Sequence, residues 1–281
     1  MKESKFINIQ GKKMSLSSPK VMGIINLTAD SFYDGGKIKS DKDLLSKAEK
    51  MIIEGVDILD IGAYSSRPGA TDIPEREEMD NAVSGVVNVL NHFPNAVVSI
   101  DTFRSSVAKI TLEHGASIVN DISGGNLDEG MFDLIAKENI PYIMMHMRGN
   151  PQTMANLTNY NHLVSDIIDY FNAKVNDLRS RGVNDVVIDP GFGFAKTKEQ
   201  NFELLNKLEL LDVLDVPMLC GVSRKSMIFK ELNTTPDEAL NGTTALNMAC
   251  LMKGASILRV HDVKETKETI QLYEAMIMNK I

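Results

Sequence analysis

Polar residues recur where apolar runs stop. Asp189 ends "VVID" (186–189) and precedes a turn containing Pro190, Gly191 and Gly193. Asn26, the loop "YSSRPG" (64–69), Asp101, Asn120 with Asp121, His146 with Arg148, the cluster "SRKS" (223–226), and Arg259 with His261 stand at the ends of other such runs. One strand-end aspartate is usually a helix cap or a turn former, and one "SRKS" a solvated turn. Recurrence along the whole chain asks for a shared cause, and convergence on one cavity supplies it. That cavity would have two chemical halves. Asp101, Asn120 and Asp189 offer acceptors to a ligand with several N–H donors. Asn26, Arg67, Arg259 and His261 offer groups suited to phosphate or pyrophosphate. A guanidine-like heterocycle carrying a pyrophosphate satisfies both.

Other chemistries fit less well. Histidine and aspartate on barrel strands hold zinc in metal hydrolases, but the first run offers no His-x-His, and His146 and His261 end different runs. A Schiff-base lysine needs an apolar pocket or a cationic neighbour; Lys225 beside Arg224 keeps that option open. Nicotinamide chemistry has no supporting motif, because the first strand–helix turn lacks G-x-G-x-x-G.

The elements that must position these residues follow from hydrophobic periodicity. A hairpin is predicted over 6–17, then strands over 21–28, 56–62, 96–102, 117–122, 141–147, 185–190, 217–223 and 256–262. Helices are predicted between and after them, over 43–55, 74–93, 104–114, 127–139, 161–181, 198–212, 237–253 and 263–278. The first of these stops at Gly55, and the second opens on proline and acidic residues. Near-continuous apolar strands separated by helices imply a parallel sheet with its outer face covered. Eight such units in about 250 residues predict an α/β fold, a TIM (β/α)8 barrel with a short N-terminal β-hairpin, as a single domain over 1–281. A doubly wound open sheet is the alternative. In a barrel, the loops after the strands build the active site.

Bulk properties set the class. The 281 residues are 43% hydrophobic and 24% charged, as in ordinary globular proteins, with a net charge of -8. That charge argues against a nucleic-acid partner. Cys220 and Cys250 form no disulfide framework, and no apolar run approaches the roughly 20 residues that span a membrane. The N-terminus lacks the apolar core of a secretory signal. A cytoplasmic protein with no membrane partner is expected.

The strand-end motifs, taken in order, resemble those of the dihydropteroate synthase family. The matching segments are "MGIINLTADSFYDGG" (22–36), "DIGAYSSRPGA" (60–70), "SIDTFRSSVA" (99–108), "VNDISGG" (119–125), "MHMRGNPQTM" (145–154), "IDPGFGFAKT" (188–197), "GVSRKS" (221–226) and "RVHDV" (259–263). The resemblance implies a TIM barrel, a homodimer, and a Mg²⁺-assisted condensation in folate biosynthesis. 6-Hydroxymethyl-7,8-dihydropterin pyrophosphate and p-aminobenzoate give 7,8-dihydropteroate and pyrophosphate. It also implies roles. Asp189 binds the pterin 2-amino group and N3–H, Asp101 and Asn120 the other ring nitrogens, and Lys225 the pterin O4 and N5. Met144 and Phe194 wall the pterin pocket. Arg259 lies against the ring and, with Asn26, Arg67 and His261, binds pyrophosphate, Asn26 being near Mg²⁺. Ser66, Arg67 and Pro68, with Lys225 and Ser226, hold p-aminobenzoate, and the loop 28–36 closes over it. Asp101, Lys225, Arg259 and His261 are the expected catalytic residues. Sulfonamides, as p-aminobenzoate mimics, are expected inhibitors.

This chain departs from the family's pattern on the p-aminobenzoate side. Ala29 replaces a proline, Tyr64 a glutamate, Ser66 a threonine, and Met227 a phenylalanine. Two other readings compete: a methyltransferase barrel that binds methyltetrahydrofolate, and a pterin-binding paralogue without catalysis. Turnover separates both from a synthase.

Overall fold

The computed structural model describes residues 5–27, 40–65 and 72–278. Ser66, Arg67, Pro68 and the loop 28–36 with Ala29 lie outside the described residues. The chain opens with an antiparallel hairpin, β1 (Phe6–Ile9) and β2 (Lys12–Ser15). Its two turn residues, Gln10 and Gly11, have φ of 50° and 81°, the pair of left-handed conformations that matches strand twist in a two-residue hairpin.

Eight strands follow, all paired in parallel: β3 (Lys20–Asn26), β4 (Ile58–Gly62), β5 (Val98–Asp101), β6 (Ile118–Asp121), β7 (Tyr142–Met145), β8 (Val186–Asp189), β9 (Leu219–Cys220) and β10 (Ile257–Val260). The order is β8-β7-β6-β5-β4-β3-β10-β9, and a bridge between Ile188 and Met218 joins the two ends. The expected barrel is therefore present, and the open-sheet alternative is not. Helices α1 (Asp41–Ile53), α2 (Glu75–His92), α3 (Ser105–Glu113), α4 (Met131–Glu138), α5 (Leu163–Ser180), α6 (Lys198–Asn206), α7 (Ser226–Phe229), α8 (Leu240–Met252) and α9 (Val263–Met278) lie between and after the strands. Among the described residues, no helix is long and apolar enough to cross a membrane.

Side-chain parity divides the strands. Outward residues such as Val21, Leu59, Ile100, Val119 and Val186 pack beneath the helices. Inward residues Met22, Ile58, Ile118, Ile143, Val187, Leu219 and Ile257 form a separate cluster, sealed by Ile7, Ile9 and Leu16 of the hairpin. The hairpin thus plugs the N-terminal end of the barrel. Two residues beyond Ile58, Ile118, Val187 and Ile257 the same inward face carries Asp60, Asn120, Asp189 and Arg259, and the site begins there.

One predicted helix is divided. The run expected over 198–212 is α6 followed by a 3-10 segment, Leu208–Leu214, whose buried residues are Leu208, Leu211 and Leu214. A spacing of three matches the three residues per turn of a 3-10 helix, not the α-helix period. Thr197 starts α6 with a reciprocal capping box to Gln200, at 3.2 and 2.9 Å.

Candidate active site

At the C-terminal rim the strands bring together most of the described residues expected there. Arg259 on β10 donates through Nε to Asp60 Oδ2 on β4, at 2.6 Å, and through Nη2 to Asp101 Oδ2 on β5, at 2.6 Å. Asp60 Oδ2 also accepts the Asn120 side-chain amide from β6 at 3.0 Å. Giving its Nδ2 to Asp60 leaves Asn120 to present its carbonyl oxygen, an acceptor, to a ligand. Asp60 is fully buried and was not among the expected site residues, yet it ties Arg259 and Asn120 together. In the sequence it is a carboxylate inside the apolar run "ILDIG" and the first residue of the matching segment 60–70.

Burial pushes the Asp101 carboxyl up to about 7, with Arg259 opposing the rise and the Asp60 carboxylate adding to it. Burial opposes the charge on Arg259, but the Asp60 and Asp101 carboxylates outweigh it and raise the guanidinium further. Burial raises Asp189 as well, against the pull of Lys225 and of the Gly191 N–H. That N–H reaches Asp189 Oδ1 at 2.8 Å.

Lys225 enters the same cavity. Its Nζ donates to the Phe192 carbonyl at 2.5 Å and lies 4.8 Å from the centre of the Phe194 ring. Burial lowers Lys225 to about 8; Asp189 opposes the shift and Arg259 reinforces it. The cation that reinforces the shift is Arg259, rather than its sequence neighbour Arg224. Arg224 instead turns away into a bidentate pair with Asp262, at 2.8 Å for each bond, and donates to the carbonyls of Pro236 and Asp237. It holds the turn that carries Lys225.

His261 has its Nδ1 3.0 Å from Ser223 Oγ, and that oxygen accepts the His261 backbone N–H at 3.2 Å. With the hydroxyl donating to Nδ1, the ring proton sits on Nε2. Burial, followed by the cations Lys47, Arg259, Arg224 and Lys225, holds this imidazole well below its ordinary pKa. Asn26, at the tip of β3, has its Oδ1 3.7 Å from where a Cβ on Gly62 would stand, beside the Asp101 side chain at 3.4 Å, which places both groups at the same part of the rim.

Three expectations are corrected. Met144 does not wall the pocket: it is buried in the outer, helix-facing core, while Met145 packs with Met147, Phe103 and Phe194 at the rim. Successive strand residues face opposite sides, so a shift of one residue exchanges them. His146 and Arg148 also leave the cavity. His146 sits among Tyr160, Tyr170 and Phe171, and Arg148 stacks 3.7 Å over Tyr160 and pairs with Asp166. Asp121, pointing outward next to Asn120, accepts from Tyr142 Oη at 2.6 Å and from the N–H groups of Ser123 and Gly125 at 2.7 and 2.8 Å.

Gly191 shows how tightly the rim is built. Its φ is 72°, and a Cβ there would collide with the His146 carbonyl oxygen. Gly191→Ala is expected to cost about 2 kcal/mol or more of folding free energy, read as a fall in Tm of several degrees.

The donor set fits Mg²⁺ in one way only. Among the described residues no group of three His, Cys, Asp or Glu side chains could cage a metal. Asn26 offers one neutral oxygen, which suits an ion that keeps its waters and arrives with substrate phosphates.

The family model described as "Pterin binding enzyme" matches residues 22–261. The dihydropteroate synthase of Synechocystis is 41% identical over 259 residues, covering 91% of this chain and 89% of its own. A solved structure of Yersinia pestis dihydropteroate synthase with a sulfonamide drug complex superposes with a TM-score of 0.93, at 36% identity, over 98% of this chain and all of that one. The Xanthomonas albilineans dihydropteroate synthase with 4-aminobenzoic acid gives 0.89 at 31% identity, over 98% of each chain.

Proposed function

The chain belongs to the pterin-binding enzymes as a dihydropteroate synthase, a transferase, and from that premise we propose how its residues divide the reaction. The observation that carries the division is the arrangement of Asp60, Arg259, Asp101 and Asn120 around one hydrogen-bonded centre, in the same rim as Asp189 and Lys225.

The pterin docks on the acidic half. Asp189 accepts from the 2-amino group and N3–H, a pair of charge-assisted bonds. Asn120 Oδ1 and Asp101 take the other ring nitrogens, and Lys225 donates to O4 and N5. Phe194 and Met145 wall the ring. The pyrophosphate lies on the cationic half, against Arg259 and His261, with Arg67 from the second loop. His261 donates from Nε2 as a neutral ring, and Arg259 supplies charge through a planar face that also stacks on the pterin.

The methylene C–O bond then breaks, and its electron pair leaves with the pyrophosphate. Arg259 and His261 meet that developing negative charge. The carbon becomes cationic, and the Asp101 carboxylate stabilises it. The aniline nitrogen of p-aminobenzoate forms the new C–N bond and afterwards releases a proton. A neutral aniline needs positioning more than a strong base, and Ser66, Arg67, Pro68, Lys225 and Ser226 provide it. Asn26 would hold Mg²⁺, which, when bound with the pyrophosphate, adds positive charge next to the leaving group.

The reading extends to a cytoplasmic homodimer. The unpaired buried cysteines Cys220 and Cys250 support a reducing compartment, and the exposed Leu272 and Met276 on α9 support a protein interface. Sedimentation of the purified chain tests the dimer.

Pyrophosphate release tests the function. With both substrates, release should match dihydropteroate formation; without p-aminobenzoate it should be much slower. A chain that binds pterin but releases no pyrophosphate in either case is a binding paralogue. The pH dependence follows from the site. Activity requires ionised Asp101 and protonated Lys225, so kcat/KM for the pterin rises as pH passes about 7 and falls beyond about 8. A flat profile between pH 6 and 9 contradicts these roles.

A further inference from the structure

Lys196 is a deeply placed cation that the mechanism leaves unused. It closes the loop 190–195 after β8, and its residue is 8% exposed. Nζ donates to the carbonyls of Gly191 at 2.9 Å and Phe194 at 3.1 Å, and lies 3.1 Å from His146 Nδ1. An ammonium has three donors, and here it meets three acceptors. That places the His146 proton on Nε2. Burial, with Lys196 and Arg148 adding, holds the His146 imidazole at about 2, so it remains an acceptor at working pH. No ion pair of Lys196 is present among the described residues. Burial lowers Lys196 to about 7; Asp189 opposes the shift, while Lys225 and Arg148 strengthen it.

A buried ammonium held only by neutral acceptors is unfavourable, and what it secures is the loop. Gly191, Gly193 and Ala195 have φ of 72°, 82° and 48°, and Ala195 is a conformation that residues with a Cβ seldom adopt. Two groups of the pterin half depend on this backbone. The Gly191 N–H holds Asp189 Oδ1, and the Phe192 carbonyl and Phe194 ring hold Lys225.

We infer that Lys196 is a positioning residue for the pterin: it gathers the Gly191 and Phe194 carbonyls and the His146 ring around one ammonium, and so sets the loop that aims Asp189 and Lys225. This rests on the pterin reading of the rim.

Calorimetric binding of 6-hydroxymethyl-7,8-dihydropterin and of inorganic pyrophosphate, to the parent, Lys196→Met and His146→Phe, tests it. Lys196→Met should weaken pterin about tenfold or more, with pyrophosphate held within about twofold. Equal weakening of both ligands overturns the inference, because it reports a general collapse of the rim. If Lys196→Met does not fold, His146→Phe decides. It keeps the ring against Tyr170 and Phe171 but removes one acceptor, and should weaken pterin about threefold or more. A parent that binds no pterin removes the reading and the inference together. A parent that binds it, with a folded Lys196→Met that binds it within about twofold, removes the inference alone.

Discussion

Asp189→Asn lowers kcat/KM for the pterin substrate by about 10²- to 10³-fold while the fold stays intact; this is the expected result of a steady-state assay beside a thermal melt. The carboxylate and the amide are nearly isosteric, and the Gly191 N–H that now reaches Asp189 Oδ1 at 2.8 Å keeps an oxygen to bond. The other side of the group changes character. A carboxylate accepts from two pterin N–H donors; an amide presents its own N–H₂ to one of them. Two charge-assisted bonds at about 1.5–3 kcal/mol each, partly offset by repositioning, give about 3–4 kcal/mol, or two to three decades. Stability moves little for a reason of sign. Burial raises the Asp189 pKa in the folded state, so the ionised group opposes folding above that pKa, and the opposition fades as pH falls through it. Removing the charge removes that opposition, while Lys225 and Lys196 lose a nearby anion. A variant within about threefold of the parent's kcat/KM contradicts the pterin-anchoring role.

Asp189 was readable from the sequence because a polar residue at the end of an apolar strand is an interruption, and a barrel gives all such interruptions one location. Asp101, Asn120, Lys225 and Arg259 were readable for the same reason. Asp60 was harder to find. It interrupts a strand in its middle, where a single carboxylate has no neighbour in sequence that explains it; its partners Arg259 and Asn120 are 199 and 60 positions away. Met144 was misplaced because "YIMM" is apolar at every position, and β7 is buried on both faces. A strand without alternation carries no parity signal. His146 and Arg148 stand just beyond β7, where the chain has left the strand and parity no longer fixes direction. Lys196 belongs to a loop, and loop contacts follow no period at all. The start predicted for the helix at 198 matches, but its end does not, since leucines three apart fit an α-helical reading until the exact spacing is weighed.

Arg259→Met should produce the largest combined loss, and its parts can be separated. The guanidinium lies between two carboxylates, at 2.6 Å from each. Methionine keeps much of the stem's packing but leaves both anions buried without their cation, a loss of about 3–5 kcal/mol. Turnover should fall by about 10³-fold, because the charge facing the departing pyrophosphate disappears as well. The stability loss has a definite pH dependence. Asp101 is already pushed up to about 7 with Arg259 opposing the rise, so removing Arg259 moves it higher. An acid whose folded pKa exceeds its unfolded value destabilises the fold above that pKa and ceases to do so below it. The deficit measured by urea unfolding should therefore be greatest above pH 7 and shrink toward pH 5. Adding Asp60→Asn removes one of the two opposed carboxylates and should restore about 2 kcal/mol of stability without restoring turnover. Were the double variant no more stable than Arg259→Met, Asp60 would not be the group the guanidinium compensates. Recovery of stability with turnover still absent would divide Arg259 into two functions, neutralising the barrel's inner carboxylates and binding the leaving group, which the single substitution removes together.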